Sequence, residues 1–183
     1  MNSADINNAK EFNLVLFSIG HSNHTLEQFL QILEEHSIAC IIDVRSVPFP
    51  KYSQHFSKDN LMHELQNHGI EYIWMGDVLG GRREDMKNSI GTICEDKFDD
   101  DPQYRAGIVR LMKKGLTKAT AIMCSEEDPR KCHRHKIIAQ TLLHGRIPEC
   151  DKLDSIKIIH IRGDGTIEDA SAVPTAFQPS LFA

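Results

Sequence analysis

Residues 14–45 read LVLFSIGHSNHTLEQFLQILEEHSIACIIDVR. Leu14 to Gly20 and Ala39 to Arg45 are short, mainly apolar runs, as expected of strands buried on both faces. Between them Leu26, Phe29, Leu30 and Leu33 recur at helical spacing, and Thr25 with Gln28 three residues on has the spacing of a capping box. Strand, helix and strand over this length predict a right-handed crossover and a parallel pair.

Outward from this unit the alternation continues. SVPFPKYSQHF (46–56) carries two prolines and reads as a loop. Ser57 is expected to cap a helix through Leu61, Met62 and Leu65 that Gly69 stops. EYIWMG (71–76) is a short third strand, Asp101-Pro102 opens another helix, and residues 120–124 form a fourth strand. Asp128-Pro129 opens a helix predicted to run to Gly145, and KIIHI (157–161) is a fifth strand. The expected fold is a single-domain α/β protein, a mainly parallel sheet with helices on both faces. Its bounds are 14–170, with 1–13 a flexible polar arm and 171–183 a C-terminal tail. The long polar connection 79–101 is expected to serve as a lid or wall.

Composition narrows the function classes. A chain of 183 residues, 40% hydrophobic and 26% charged, has the makeup of a soluble globular domain with a real core. A net charge of -5 argues against tight non-specific nucleic-acid binding while allowing a local basic groove. No apolar run approaches the ~18 residues of a membrane span, and the polar start has no signal-peptide pattern. Five cysteines, an odd number, fit a cytoplasmic location, where clustered cysteines mean chemistry or metal more often than disulfide scaffolding.

Ligands of such sheets bind beyond the carboxyl ends of the strands. Those ends carry Gly20-His21-Ser22, Asp43-Val44-Arg45, Gly80-Gly81-Arg82 and Cys124-Ser125-Glu126, with Cys132, His133 and Arg134 shortly after. A parallel sheet would bring all of them to one edge, around one cleft. Cys124 at a strand tip and Cys132 near a helix start, beside Arg130 and Arg134, suit a thiolate used as nucleophile or soft metal ligand. Cys124, Cys132, His133 and His21 are donor types for zinc or iron, although the spacing C-x7-C-H matches no zinc finger, ribbon or deaminase pattern. Arg45, Lys51 and Arg134 are candidates for holding an anion; Asp43 is either part of that site or a structural partner of Arg45. Cys40, Cys94 and Cys150 read as small buried hydrophobes. His24, His36, His55, His63, His68, His135, His144 and His160 read as surface or capping histidines, with His160 able to face either side of its strand. No G-x-S-x-G elbow, GxGxxG or P-loop is present.

The segments SIGHSNHTLEQFL, IIDVRSVPFPKYSQHF, GIEYIWMGDVLGGR, AIMCSEEDPRKCHR and IIHIRGDGTIE follow in an order that resembles Domain-of-Unknown-Function family 488, over roughly Val15 to Glu168. The resemblance implies an intracellular, mostly prokaryotic α/β protein of no established activity. It marks Gly20, His21, Ser22, Asp43, Arg45, Gly80, Gly81, Cys124, Glu126, Cys132, His133 and Arg134 as signature positions without assigning them roles. Where the family usually has Ser-Arg and then Asn-Pro-Gln-Phe, this chain has Pro50-Lys51 and Ser53-Gln54-His55-Phe56. An ammonium thus replaces a guanidinium at Lys51 and weakens bidentate anion contact. A looser likeness to rhodanese and cysteine-phosphatase folds stops at CSEEDPRKC, which lacks their short phosphate loop.

The leading expectation is an enzyme, a thiolate- or metal-assisted hydrolase or transferase acting on a small anionic ligand or nucleic acid. Cys124, Glu126, Cys132, His133 and His21 would be catalytic. Ser22, Asp43, Arg45, Lys51, Gly80, Gly81 and Arg134 would bind substrate. The alternatives are a non-catalytic metal- or nucleic-acid-binding protein whose Cys and His hold an ion, and a purely structural knot of Cys124, Glu126, Cys132 and Arg134.

Overall fold

Thr25 caps its helix as its spacing predicts. Its side chain accepts from the Gln28 N–H, and the Gln28 side chain accepts from the Thr25 N–H. That helix, α1 (Leu26–Glu35), follows β1 (Asn13–Gly20) and leads to β2 (Cys40–Asp43). The computed structural model describes residues 13–82 and 96–175. Next come α2 (Lys58–Asn67), β3 (Glu71–Trp74), α3 (Gly76–Leu79), α4 (Asp96–Asp99), α5 (Pro102–Gly115) and β4 (Thr120–Cys124). The chain closes with α6 (Gln140–Leu143), β5 (Ser155–Ile161) and β6 (Ile167–Asp169). The arm at 1–12, and residues 83–95 of the predicted lid with Cys94, lie outside the described residues.

The six strands form one sheet in the order β3-β2-β4-β1-β5-β6, parallel except for β6. β1 and β2 are parallel, but β4 is inserted between them. Local periodicity gives strand direction; it does not reveal a neighbour 80 residues away. β6 was not predicted. It pairs antiparallel with β5 through a turn at Asp164-Gly165, where Gly165 has φ +82° and Arg162 N–H bonds to Thr166 O at 2.8 Å. Three half-polar residues carry too little alternation to declare a strand, although Asp-Gly is a hairpin signal.

Two apolar cores cover the two faces. Phe29, Leu33, Leu61 and Leu65 of α1 and α2 pack on one side, and Tyr104, Ile108, Leu111, Ile138 and Leu142 on the other. The fold is a single α/β domain with helices on both faces. Among the described residues no helix is long and apolar enough to cross a membrane.

The single helix predicted from Asp128-Pro129 to Gly145 is instead three pieces: a 3-10 turn at Pro129–Lys131, a π-helical turn at Arg134–Ala139, and α6. Asp128 caps the first piece through Arg130 N–H. Cys132 then takes an extended conformation, φ -121° and ψ 141°, which ends it. The helix restarts with His135 and Lys136 N–H bonding back to Cys132 O. His135, expected as a surface or capping residue, is fully buried, and so is His160, which could have faced either side of its strand. Arg134 Nε–H donates to Ser18 Oγ at 3.0 Å, and Ser18 and His135 hold the two nitrogens of His160 at 2.9 Å each.

Candidate functional site

The helices after β1 and β2 pack on one face, and the run after β4 goes to the other. Divergence of neighbouring connections opens a crevice at the strand ends, the place where open α/β sheets bind ligands. A cleft of about 460 Å3 lies there, walled by Val47, Phe49 and Pro50 on one side, Gly81 and Arg82 on another, and Cys124, Cys132 and His133 at its base.

The base of the cleft is chemically the most specific part of the molecule. His133 Nδ1 lies 3.8 Å from both Cys124 Sγ and Cys132 Sγ, and all three donor atoms fall within 4.8 Å of one another. His133 Nε2 lies 3.1 Å from the carbonyl of Val44. A carbonyl only accepts, so Nε2 carries the proton, and in the neutral ring Nδ1 turns its lone pair to the sulfurs. Gly81 is required for this arrangement. A Cβ there would stand 2.6 Å from His133 Cγ and 2.9 Å from Nδ1, inside contact distance.

The two sulfurs are unequal. Cys132 is held below the ordinary thiol range, first by the hydrogen bond from the Cys124 thiol and further by the charge of Arg134. Cys124 is raised above it, first by that same bond to Cys132 and then by burial. Arg134 is fully buried. Its donors go to Ser18 Oγ and to the carbonyls of Glu126 and Glu127, so it clamps the loop behind the strand tip. Among the described residues no carboxylate forms a salt bridge with it. Expected to hold substrate, it is instead committed to backbone, and its charge faces the cysteine pair.

Arg45 departs from expectation in the same way. Its Nε and NH2 donate to both oxygens of Asp43 at 2.6 to 3.1 Å, and its NH1 to Phe56 O at 2.8 Å. Asp43 is 0% and Arg45 3% exposed. Asp43 also accepts from Tyr72 OH at 2.6 Å. Arg45 thus borders the cleft with its charge already matched by Asp43. His21 is likewise drawn away from the sulfurs. It stacks on Phe56 with ring centroids 4.3 Å apart, with Nε2 3.2 Å from Arg45 NH1 and Nδ1 3.2 Å from Ser22 O. Burial, then the neighbouring guanidinium, lowers its pKa to about 4 and keeps it neutral. With both nitrogens engaged it is a wedge between β1 and the 46–56 loop, outside the donor set.

Among the other expected residues, Glu126 is exposed and borders the cleft. Ser22 sits at φ 40° with its N–H on Ser125 O, linking the β1 and β4 tips. Gly80 follows α3, where a side chain would run into Ser46. Lys51 is exposed, its ammonium 5.4 Å from the Tyr52 ring centroid, on the loop beside the cleft. Tyr72 was not legible as a site residue, whereas Ser46, which follows Arg45 at the end of the second strand, accepts from Arg82 N–H at 2.9 Å. Tyr72 reaches Asp43 because it pairs in register with Ile41, two residues before Asp43. A larger depression of about 630 Å3 lies along the β5–β6 hairpin. There Arg162 pairs with Glu127 and Glu168 at 2.8 and 2.9 Å, Asp164 accepts from Thr166, and the lining holds no cysteine or histidine.

A family model described as "Domain of unknown function DUF488" matches residues 25–142. The chain belongs to the DUF488 family. That span runs from Thr25 to the end of the apolar stripe of α6 and contains Cys124, Cys132 and His133, the three donors at the base of the cleft. No curated protein and no solved structure gives a significant match.

Proposed function

We propose that this DUF488 chain is a metal-assisted hydrolase of an anionic substrate, with Cys124, Cys132 and His133 as the protein ligands of one zinc-like ion. The observation that carries this reading is the convergence of two sulfurs and the Nδ1 lone pair, with Nε2–H fixed on Val44 O. Zinc–sulfur bonds of about 2.3 Å and zinc–nitrogen bonds of about 2.0 Å give a tetrahedral S···N edge of roughly 3.5–3.6 Å. The 3.8 Å separations are close to that edge. A histidine ligand whose second nitrogen donates to a carbonyl is the usual outer-shell arrangement of metal sites. Three protein ligands leave a fourth position, and here it faces the cleft, the pattern of catalytic rather than structural zinc. An ion there would supply a water ionised near neutral pH. Glu126 and Arg82 border the same cleft; Glu126 would take that water's proton, and Arg82 would meet the substrate's charge.

Proton sharing between the sulfurs favours a second reading, in which Cys132 is a metal-free thiolate nucleophile. Metal analysis of protein purified without a histidine tag separates the two. The metal reading expects about one ion per chain, lost in Cys132→Ser and His133→Ala, and a thiolate-to-metal charge-transfer band on cobalt substitution. Sub-stoichiometric metal together with rapid single-site alkylation of Cys132 would replace it with the nucleophile reading.

A further inference from the structure

The 46–56 loop exposes apolar side chains where a protein normally hides them. Val47 is 61%, Phe49 62% and Tyr52 89% exposed, three large apolar residues within six positions. Scattered exposed hydrophobics are ordinary, but a cluster rimmed by charge marks a binding surface. Pro48 and Pro50 fix φ around Phe49, and Lys58 N–H bonds to Pro48 O at 2.9 Å, so the ring is presented by a constrained segment. Phe49 lines the same cleft as the two sulfurs, and so does Arg82. Beyond Phe49, aromatic rings and ammonium groups interleave: Lys51 lies by Tyr52, and Lys58 stands 4.4 Å from the Trp74 ring centroid.

From these observations we infer that the substrate is a nucleoside phosphate, free or at the end of a single strand. Its base stacks on Phe49 and its phosphate lies between Arg82 and the base of the cleft. Every nucleobase has a flat face, so an open ring recognises it by stacking without sequence readout. The guanidinium meets phosphate with a fork of donors. Arg45 adds little, because Asp43 already matches its charge. The inference deepens the reading of the same cleft as a metal-assisted site and rests on it for the position of the phosphate.

Isothermal titration of the full chain with adenosine 5′-monophosphate, ribose 5-phosphate and a 5′-phosphorylated oligothymidine tests it. The nucleotide should bind at least about tenfold tighter than the sugar phosphate. Phe49→Ala should weaken the nucleotide about 5- to 150-fold, the range for losing one stacked base, and leave the sugar phosphate unchanged. Phe49→Trp should retain or tighten binding. Arg82→Gln should weaken both ligands alike. Tighter binding of the oligonucleotide identifies a strand end, and equal binding a free nucleotide. Equal affinity for nucleotide and sugar phosphate, or indifference to Phe49→Ala, overturns the inference. Metal analysis of the same titrated wild-type chain separates the two proposals. Base-dependent binding in protein shown to hold no metal removes the metal reading alone, and stoichiometric metal without base dependence removes this one alone.

Discussion

Replacing Arg45 with Gln measures whether Asp43 and Arg45 are a structural pair. The change removes five side-chain hydrogen bonds, three to the Asp43 carboxylate, one to Phe56 O and one to His21 Nε2. Asp43 keeps the Tyr72 hydroxyl at 2.6 Å and the residue 45 backbone N–H at 3.0 Å, both neutral donors. A carboxylate with no exposed surface is then left without a countercharge. Removing one member of a buried pair costs about 3–5 kcal/mol. For a domain of this size each kcal/mol shifts Tm by roughly 2–4 °C, so the loss should be about 6–20 °C. Urea denaturation with an unchanged m-value is the direct assay. Asp43→Asn in the Arg45→Gln background should recover a substantial part of the loss, since the stranded charge is gone. A loss below about 1 kcal/mol, or no recovery in the double variant, would show that the charge of Arg45 is not consumed by Asp43. The guanidinium would then belong to the ligand side of the cleft.

Three further outcomes are expected. Burial, then the neighbouring His135, lowers the His160 pKa to about 3, and His21 falls to about 4, both from 6.5. The fold keeps these rings neutral while the unfolded chain protonates them, so stability is full above pH 6.5 and falls as pH drops toward these values. The slope is at most about 1.4 kcal/mol per pH unit for each ring, and His160→Gln should flatten a urea-midpoint series by up to one proton; an unchanged slope would contradict its neutral burial. Gly81→Ala should push the His133 ring off Val44 O and lower metal affinity about 10- to 100-fold, the usual cost of disturbing an outer-shell contact, as read by chelator competition; wild-type affinity would show that the ring position does not matter. In metal-stripped protein iodoacetamide should modify Cys132 faster than Cys40 or Cys150 below pH 7, and added zinc should block it; protection absent at saturating zinc would count against sulfur ligation.

β2 and β4 were legible because every residue in them is buried, and burial on both faces writes itself as a continuous apolar run; β1, β3 and β5 stood out by their apolar content although partly exposed. Thr25, Asp101 and Asp128 were legible because capping is a local code, satisfied within three residues. The break at Cys132 was not. Its cause is an extended backbone at one residue, with no proline or glycine to announce it. The cluster Cys124, Cys132 and His133 stood out in sequence by residue type, yet its spacing fits no metal motif, because one donor comes from a strand tip and two from the junction between helical pieces. Arg45 shows the opposite failure. Two charges at i and i+2 look free in a one-dimensional reading, and only the strand end that folds the guanidinium back onto Asp43 reveals them as a pair.

The π-helical turn at Arg134–Ala139 has a consequence for how this architecture can change. An α-helical residue advances about 100° around the axis, and a π turn absorbs one residue beyond the α count. The turn therefore acts as an angular offset between two helical surfaces. At its first residue, Arg134 is aimed at the loop after β4; at its end and beyond, Ile138 and Leu142 pack in the core against the sheet. An ordinary helix would put those two aims out of phase. Gain or loss of a single residue in this turn would rotate the cysteine–histidine junction against an undisturbed core, a route by which related chains can alter the cleft while keeping the sheet.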